Sequence, residues 1–350
     1  MAKLKLLDIA KALGLSKTTV SKAINNYSDV NQFTRIKVLN YVKRVGFEPN
    51  RQASSLRKNE IKTVAVIFPE LNHDFFNRIQ EGILSVSQKN EYNLCVAISH
   101  ESFETEKKLV YQFLKRNVDA IFLSLCNDTK NFDHLEEIHK QTKILVMFDK
   151  IEKTINCPKI IIDDRKASFL ATEHLIKNGC KKILHFRGGF QPQISIDRYL
   201  GYRDALNKYG ISFEKEMVFV CETADENAGF LAAKKVIESK IKFDGLFAFT
   251  DYTAIGAIQF FKSKKIRIPK DVLIVGFSNW KVTRFTSPTI STVDQSAFLM
   301  GENIFNAFLE EKLLKSQGDP PSNKIFKIPA KLIIRESSEM QSNQVQFIQK

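Results

Sequence analysis

Four side chains that could bind a nucleic acid are crowded into one short stretch near the N-terminus. The segment LGLSKTTVSKAIN, Leu13–Asn25, contains Lys17, Thr18, Ser21 and Lys22. Ammonium groups and hydroxyls donate hydrogen bonds to phosphate oxygens and to the edges of bases. The chemistry that these residue types offer is therefore binding, and their spacing suits the outer face of one helix.

Residue patterns that would indicate catalysis or a cofactor are missing. The sequence contains no G-x-G-x-x-G or G-x-x-x-x-G-K-[ST] phosphate loop, no G-x-S-x-G motif and no H-E-x-x-H motif. Its five cysteines are widely spaced, without C-x-x-C, which favours free thiols over zinc sites or disulfides. We therefore expect no cofactor and no metal.

Three short helical patterns must position the N-terminal side chains. Apolar spacing predicts helices over roughly 6–13, 17–25 and 32–45, with Ser16 as the N-cap of the second. The residues expected to face their common core are Ile9, Ala10, Leu13, Val20, Ala23, Ile24, Ile36, Leu39 and Val42. Two helices joined by a turn containing Gly14 form a helix-turn-helix, and the third closes a small all-α unit. The second helix would then lie in the DNA major groove.

The charge distribution agrees with a polyanionic partner. The chain has a formal net charge of +14, and residues 1–60 carry 12 basic against 4 acidic side chains. Such an excess favours binding to nucleic acid. No apolar run reaches the roughly 18 residues that span a bilayer, so we expect no membrane partner and a cytoplasmic location.

From Thr63 onward, short β-branched runs alternate with amphipathic helical patterns. Ten strand candidates extend from TVAVIF to TISTV. Nearly continuous apolar strands separated by helices predict buried parallel sheets. Ten strands suit two doubly wound sheets side by side better than one sheet. A ligand cleft is expected where the carboxyl ends of the strands meet.

Two sets of motifs carry a resemblance to a known family. The first set is DIAKALGLSKTTVSKAIN, VNQFTRIKVL and VGFEPN, and the second includes VAVIFPELNHDFF, FTDYTAIGAI and VGFSN. Over nearly its whole length the chain resembles the LacI/GalR family of bacterial transcriptional regulators. The resemblance implies a periplasmic-binding-protein-like core and a homodimer. It also implies a repressor whose affinity for a pseudo-palindromic DNA operator is switched by a small ligand, a sugar or sugar derivative.

The same resemblance divides the chain into three segments. They are a helix-turn-helix headpiece over 1–49, a hinge over 50–60 and a ligand-binding and dimerisation core over 61–340. The core would consist of two subdomains, about 61–162 plus 293–323 and about 163–292 plus 324–340. Its dimer surface is expected around 80–87 and 93–113, where apolar stripes could equally be core.

The DNA contacts follow the family pattern residue by residue. Base contacts are expected from Lys17, Thr18, Ser21 and Lys22, although these could be solvated helix residues. The phosphate contacts are expected from Ser16, Thr19, Asn25 and Arg35. In the hinge, Ala53 and Leu56 would reach the minor groove, where a leucine from each subunit wedges between bases.

The ligand contacts implied by the resemblance combine carboxylates, a guanidinium and aromatic rings. The set is His73, Asp74, Phe75, Phe76, Asp149, Arg198, Asp251, Trp280 and Gln295. Carboxylates and guanidinium grip vicinal hydroxyls, and rings cover the apolar side of a sugar. Arg198 could instead lie on a solvated helix face, Asp251 could cap a helix, and Trp280 could anchor a dimer or interdomain surface. Asp163 and Asp164 are weaker candidates because they could be helix caps.

The sequence leaves open two alternatives to a ligand-switched regulator. One is a regulator controlled mainly by a protein partner at the core surface. The other is an α/β enzyme fused to a DNA-binding head, for which no nucleophile–base spacing is visible.

Overall fold

The computed structural model describes residues 6–24, 27, 30–45, 62–190 and 193–339. The chain separates into two units, Met1–Ile61 and Lys62–Lys350. The first is helical, and the second alternates strands with helices. The predicted hinge, 50–60, lies outside the described residues.

The headpiece contains the three predicted helices. They are α1 (Leu6–Leu13), α2 (Lys17–Ile24) and α3 (Gln32–Arg44). Ile9 and Val20 are fully buried in a small apolar cluster that all three helices share. The predicted inward faces of α1 and α2 are therefore confirmed.

The predicted inward face of α3 is partly wrong. Val38 is the fully buried residue, whereas Ile36 and Leu39 are 49% and 43% exposed. Tyr41 and Val42 pack beside Val38 against the shared cluster. Apolar residues lie on two faces of this helix, and the small core accommodates only the face centred on Val38.

The core unit contains eight helices and twelve strands within the described residues. The helices are α4 (Asp74–Lys89), α5 (Phe103–Lys115), α6 (Asp133–Lys140), α7 (Asp164–Lys177), α8 (Gln193–Lys208), α9 (Glu226–Glu238), α10 (Asp251–Ser263) and α11 (Ala297–Gln317). The strands are β1 (Thr63–Phe68), β2 (Asn93–Ile98), β3 (Ala120–Leu123), β4 (Ile144–Phe148), β5 (Lys159–Ile162), β6 (Ile183–Arg187), β7 (Val218–Val220), β8 (Gly245–Ala248), β9 (Leu273–Phe277), β10 (Ser291–Asp294), β11 (Ile325–Ile328) and β12 (Lys331–Ile333).

The strands form two six-stranded sheets, as the alternating pattern predicts. The first has the order β11-β5-β4-β3-β1-β2 and the second the order β12-β10-β9-β8-β6-β7. All neighbouring strands are parallel except β10 and β12. Most strands are buried along their length because helices cover the faces of a parallel sheet. Because the strands run in parallel, the loops that follow their carboxyl ends lie along one edge of each sheet.

The chain crosses between the sheets three times. It passes from β5 to α7, then from β10 to α11, and finally from β11 to β12. The predicted return near residue 324 is one strand too early, because β11 pairs in parallel with β5 of the first sheet. The two short strands β11 and β12 are not among the predicted strands, since neither is a continuous apolar run.

The main apolar cluster joins side chains from both sheets. It includes Phe68 and Phe305 on the first side and Phe247 and Phe277 on the second. Cys95 is half-buried, and the other four cysteines are buried free thiols. No helix in the described part of the chain combines the length and apolar character needed to cross a bilayer.

Candidate functional site

Helix α2 begins with a hydroxyl cap. Ser16 Oγ accepts a hydrogen bond from the backbone N–H of Thr19 at 3.0 Å, and the two hydroxyl oxygens lie 2.8 Å apart. This cap satisfies an N–H group at the helix start that would otherwise lack an intrahelical partner. In the preceding turn Gly14 has φ +66°, a conformation open to glycine without steric cost.

The side chains predicted to contact bases lie along α2. Lys17 and Thr18 are exposed, and Ser21 and Lys22 are half-buried. Val20, on the opposite face, is fully buried. The helix therefore offers its first turn, with an ammonium group and a hydroxyl, to a binding partner.

Among the predicted phosphate contacts, Arg35 has a local partner. Its Nη2 donates to the carbonyl oxygen of Tyr27 at 2.5 Å, so the guanidinium connects α3 to Tyr27. Asn25, Ala53 and Leu56 lie outside the described residues, and their DNA contacts stay predictions.

A cavity of about 260 Å³ lies where the two sheets of the core meet. Its walls come from the loops after β3 and β4, from the end of β5 and from the first turn of α8. Among the predicted ligand-binding side chains, Asp149 lines this cavity. The wall also contains Lys150, Glu152, Asp164 and Asp197, so charged side chains surround the space.

A buried carboxylate holds the loop after β3. Glu106 accepts a hydrogen bond from the backbone N–H of Cys126 at 2.7 Å. Its other oxygen lies 2.9 Å from His134 Nε2, and both side chains are fully buried. The three residues are too far apart in the sequence for any local pattern to reveal this support of the cavity wall.

Arg198 is buried beside the cavity and does not lie on a solvated helix face. It is 4% exposed, and its Nε donates to Asp164 Oδ1 at 2.8 Å. Nη1 donates to the carbonyl oxygen of Phe249 at 2.8 Å, while the guanidinium covers the Phe277 ring at 3.8 Å. The pKa of Asp164 is raised to about 6, because the effect of burial exceeds the opposing effect of Arg198. Asp164 is thus an ion-pair partner, whereas Asp163 caps α7 through the N–H of Lys166.

Asp149 follows β4 in a left-handed conformation, with φ +56°. The Ser124 hydroxyl donates to its carboxylate at 3.4 Å. Burial raises the pKa of Asp149, while Lys150 and Arg198 lower it. Lys150 itself forms its ion pair with Glu101, at 2.6 Å, and not with Asp149.

Asp251 has a structural role. It is fully buried. Its Oδ1 accepts a hydrogen bond from the Thr292 hydroxyl at 2.6 Å, and its Oδ2 accepts one from the backbone N–H of Trp280 at 2.8 Å. Burial raises its pKa to about 7, against those hydrogen bonds. The alternative prediction that Asp251 caps α10 is wrong, because Thr250 is the N-cap. Its burial and its two partners argue against a ligand contact and give it the role of orienting the Trp280 loop.

Trp280 lies between the two subdomains. Its ring centroid is 4.3 Å from that of His73 and 4.6 Å from that of Tyr252. Beside it, the backbone N–H of Lys281 donates to Asp74 Oδ2 at 2.7 Å. This placement favours the interdomain alternative for Trp280, because His73 and Asp74 begin α4 on the first subdomain.

The remaining predicted ligand contacts lie away from the cavity wall. Gln295 is 2% exposed, and its Nε2 donates to Ser278 Oγ at 2.8 Å. Phe75 and Phe76 belong to the main apolar cluster. The predicted set is thus divided between the cavity, a buried ion pair and an interdomain contact.

Comparison with known proteins gives two family matches. Residues 5–50 match bacterial regulatory proteins of the lacI family. Residues 61–336 match the periplasmic binding proteins and sugar binding domain of the LacI family. Together they cover the headpiece and the core as separate modules of one regulator.

Individual relatives agree with these matches. The HTH-type transcriptional regulator RegA of Clostridium saccharobutylicum is 30% identical over 334 residues, covering 95% of this chain and 98% of RegA. Catabolite control protein A of Priestia megaterium is 28% identical over 95% of this chain and 98% of its own length. These relatives are regulators, so the enzyme alternative does not hold.

The fold has a counterpart of known structure. The lac repressor dimer bound to operator and the anti-inducer ONPF matches with a TM-score of 0.81 and 20% identity, over 96% of this chain and 99% of that one. At this identity the likeness establishes the fold. With both family models matched, the chain belongs to the LacI family of bacterial regulatory proteins and is a DNA-binding transcriptional regulator with a ligand-binding core.

Proposed function

We propose that the protein is a homodimeric repressor in the cytoplasm whose affinity for a pseudo-palindromic operator is switched by a sugar or sugar derivative. The observation that carries the proposal is the cavity at the meeting point of the two sheets, bounded by Asp149 and by Asp164, the ion-pair partner of Arg198. A ligand there touches loops from both subdomains. It can therefore favour one arrangement of the subdomains over another by its difference in affinity.

The DNA contacts are assigned to α2, to the residues that flank it and to Arg35 of α3. Lys17, Thr18, Ser21 and Lys22 would contact base edges, and Ser16, Thr19, Asn25 and Arg35 would contact phosphates. Lys22 stands where the family often has Arg, and lysine lacks the bidentate geometry that arginine offers to guanine. The base preference at that step is therefore a property to determine for this chain.

The dimer surface is assigned to the open edge of the first sheet. Strand β2 lies at the end of that sheet, its residues are exposed or half-buried, and Val96 is 40% exposed. Helix α4 next to it buries Ile79 and Ile83 against α11 and leaves Leu84 half-buried. An edge strand with apolar side chains is a surface that a second copy can cover.

Selection of binding sites from random duplex DNA by the full-length protein tests the DNA-binding part. We expect recovered sites with two-fold symmetry. Fluorescence anisotropy on the recovered site then compares the wild type with Lys17→Ala and with Lys242→Ala, an exposed lysine of the core. Loss of a base contact should cost about 1–3 kcal/mol of binding free energy, and Lys242→Ala should bind as the wild type does. Recovery of no symmetric site, or equal affinity of all three proteins, would contradict the proposal.

A further inference from the structure

Three carboxylates line the cavity between the two sheets and accept their hydrogen bonds from uncharged groups. Asp149, Glu152 and Asp197 all line it. Each accepts hydrogen bonds from neutral donors: the Ser124 hydroxyl at 3.4 Å, Thr154 at 2.9 Å and the Gln193 amide at 2.9 Å. Within the described ranges, none of the three forms an ion pair.

Two of the three cations near the cavity are paired with other carboxylates, and both lower the pKa of Asp149 without forming an ion pair with it. Arg198 forms its ion pair with Asp164 at 2.8 Å, and Lys150 forms one with Glu101 at 2.6 Å. The other basic side chain of the wall is Lys153, which is exposed at the rim. The lining residues include four carboxylates and two ammonium groups. The wall therefore has an excess of negative charge, which concentrates ligands of the opposite sign.

We propose that the effector carries a protonated amine and that Asp149 is the residue that binds it, so that the ligand class is an amino sugar and not a sugar phosphate or sugar acid. This proposal rests on the proposed function, since it concerns the ligand of the same cleft. The site is the cleft of the ligand-binding core, and its carboxylates decide which ligand fits there. An ammonium group gives Asp149 the charge-assisted hydrogen bond that the protein does not supply. A phosphate would meet three carboxylates of the same sign of charge, which repel it.

The apolar part of the cavity wall favours a ligand with a ring over an extended polyamine. Ile161, Ile194 and Phe132 line the same cavity, and they can cover the apolar face of a small ring. A cavity of about 260 Å³ also restricts the ligand to a compact molecule.

Titration calorimetry with the full-length protein tests the proposal with matched probes. Glucosamine, galactosamine and mannosamine are each compared with the parent hexose, the N-acetyl derivative and the hexose 6-phosphate. We expect at least one amine to bind about tenfold more tightly than its parent hexose, and the matching phosphate to bind more weakly than either. Absence of binding by all three amines, or tighter binding of a phosphate, overturns the proposal.

Two variants then assign the amine contact to a residue. Asp149→Asn keeps the size of the side chain and should reduce the preference for the amine over the parent hexose to about one. Glu222→Gln removes one negative charge from the exposed surface outside the cavity, and it should leave the preference unchanged. An unchanged preference in Asp149→Asn would overturn the role of Asp149. Because operator binding is measured separately, a failure here with intact operator binding leaves the DNA-binding part of the proposed function standing.

Discussion

The free energy of unfolding of Asp251→Asn should increase relative to that of the wild type as the pH rises. The carboxyl group is fully buried, and burial raises its pKa from the ordinary value of 3.8 to about 7. Between these two values the native carboxyl keeps a proton that the unfolded chain has lost. The native state then binds more protons, so each increase in pH lowers the free energy of unfolding.

The size of the effect follows from the two pKa values. Each pH unit in that interval changes the free energy of unfolding by about 1.4 kcal/mol, and the whole interval amounts to about 4 kcal/mol. Asp251→Asn does not titrate and therefore escapes this loss. The variant can keep the Trp280 N–H as a donor to its amide oxygen, and its amide nitrogen can donate to the Thr292 hydroxyl oxygen.

The difference in the free energy of unfolding between variant and wild type can be measured by urea titration from about pH 5 to about pH 8. The fluorescence of the single tryptophan reports unfolding. The difference should grow in favour of the variant up to about pH 7 and then level off. Asp271→Asn is the matched control, because Arg267 holds the pKa of the exposed Asp271 carboxyl at about 2. That group is ionised in both states over the tested range, so its variant should show no such growth. A difference between Asp251→Asn and wild type that is independent of pH would refute the reasoning.

Three further predictions concern the core packing, the cavity loop and the hinge. Gly301→Ala should lower the free energy of unfolding by about 1–3 kcal/mol in urea titration, because its Cβ would lie 2.1 Å from the carbonyl oxygen of Ile79. Glu106→Gln should raise the hydrogen-exchange rate of the Cys126 amide about tenfold by mass spectrometry, since it weakens a buried charge-assisted bond. Leu56→Ala should weaken operator binding without changing ligand affinity; equal operator affinities in a salt-controlled titration would contradict the hinge assignment.

The headpiece helices could be predicted closely because local signals fix them. Ser16 marks the start of α2, and the spacing of Val20 and Ala23 identifies its buried face. The third helix carries apolar residues on two faces, and the choice between Val38 and Ile36 depends on how much space the other two helices leave. That information is tertiary and is absent from the local pattern.

The cleft could be predicted as a location but not in its detail. Alternating strands and helices place the carboxyl ends of two sheets together, which locates the site. The partner of Arg198 is Asp164, 34 residues away, and no spacing rule connects them. Two aspartates with similar sequence contexts also differ in their burial and therefore in their roles. Asp251 is fully buried and orients a loop, whereas Asp149 lines the cavity.

On the proposed assignment, ligand specificity in this chain depends on the pairing of the candidate side chains more than on their residue type. The family resemblance marks Asp149, Arg198 and Asp251 as equivalent candidates, yet Arg198 and Asp251 already have protein partners. A paired guanidinium is less available to a ligand anion, and a carboxylate that accepts from Thr292 and Trp280 gains little from a ligand hydroxyl. Asp149, with one long hydrogen bond from Ser124, has the most to gain when a ligand donor enters. The amine proposed for the effector is the group that would best satisfy this carboxylate.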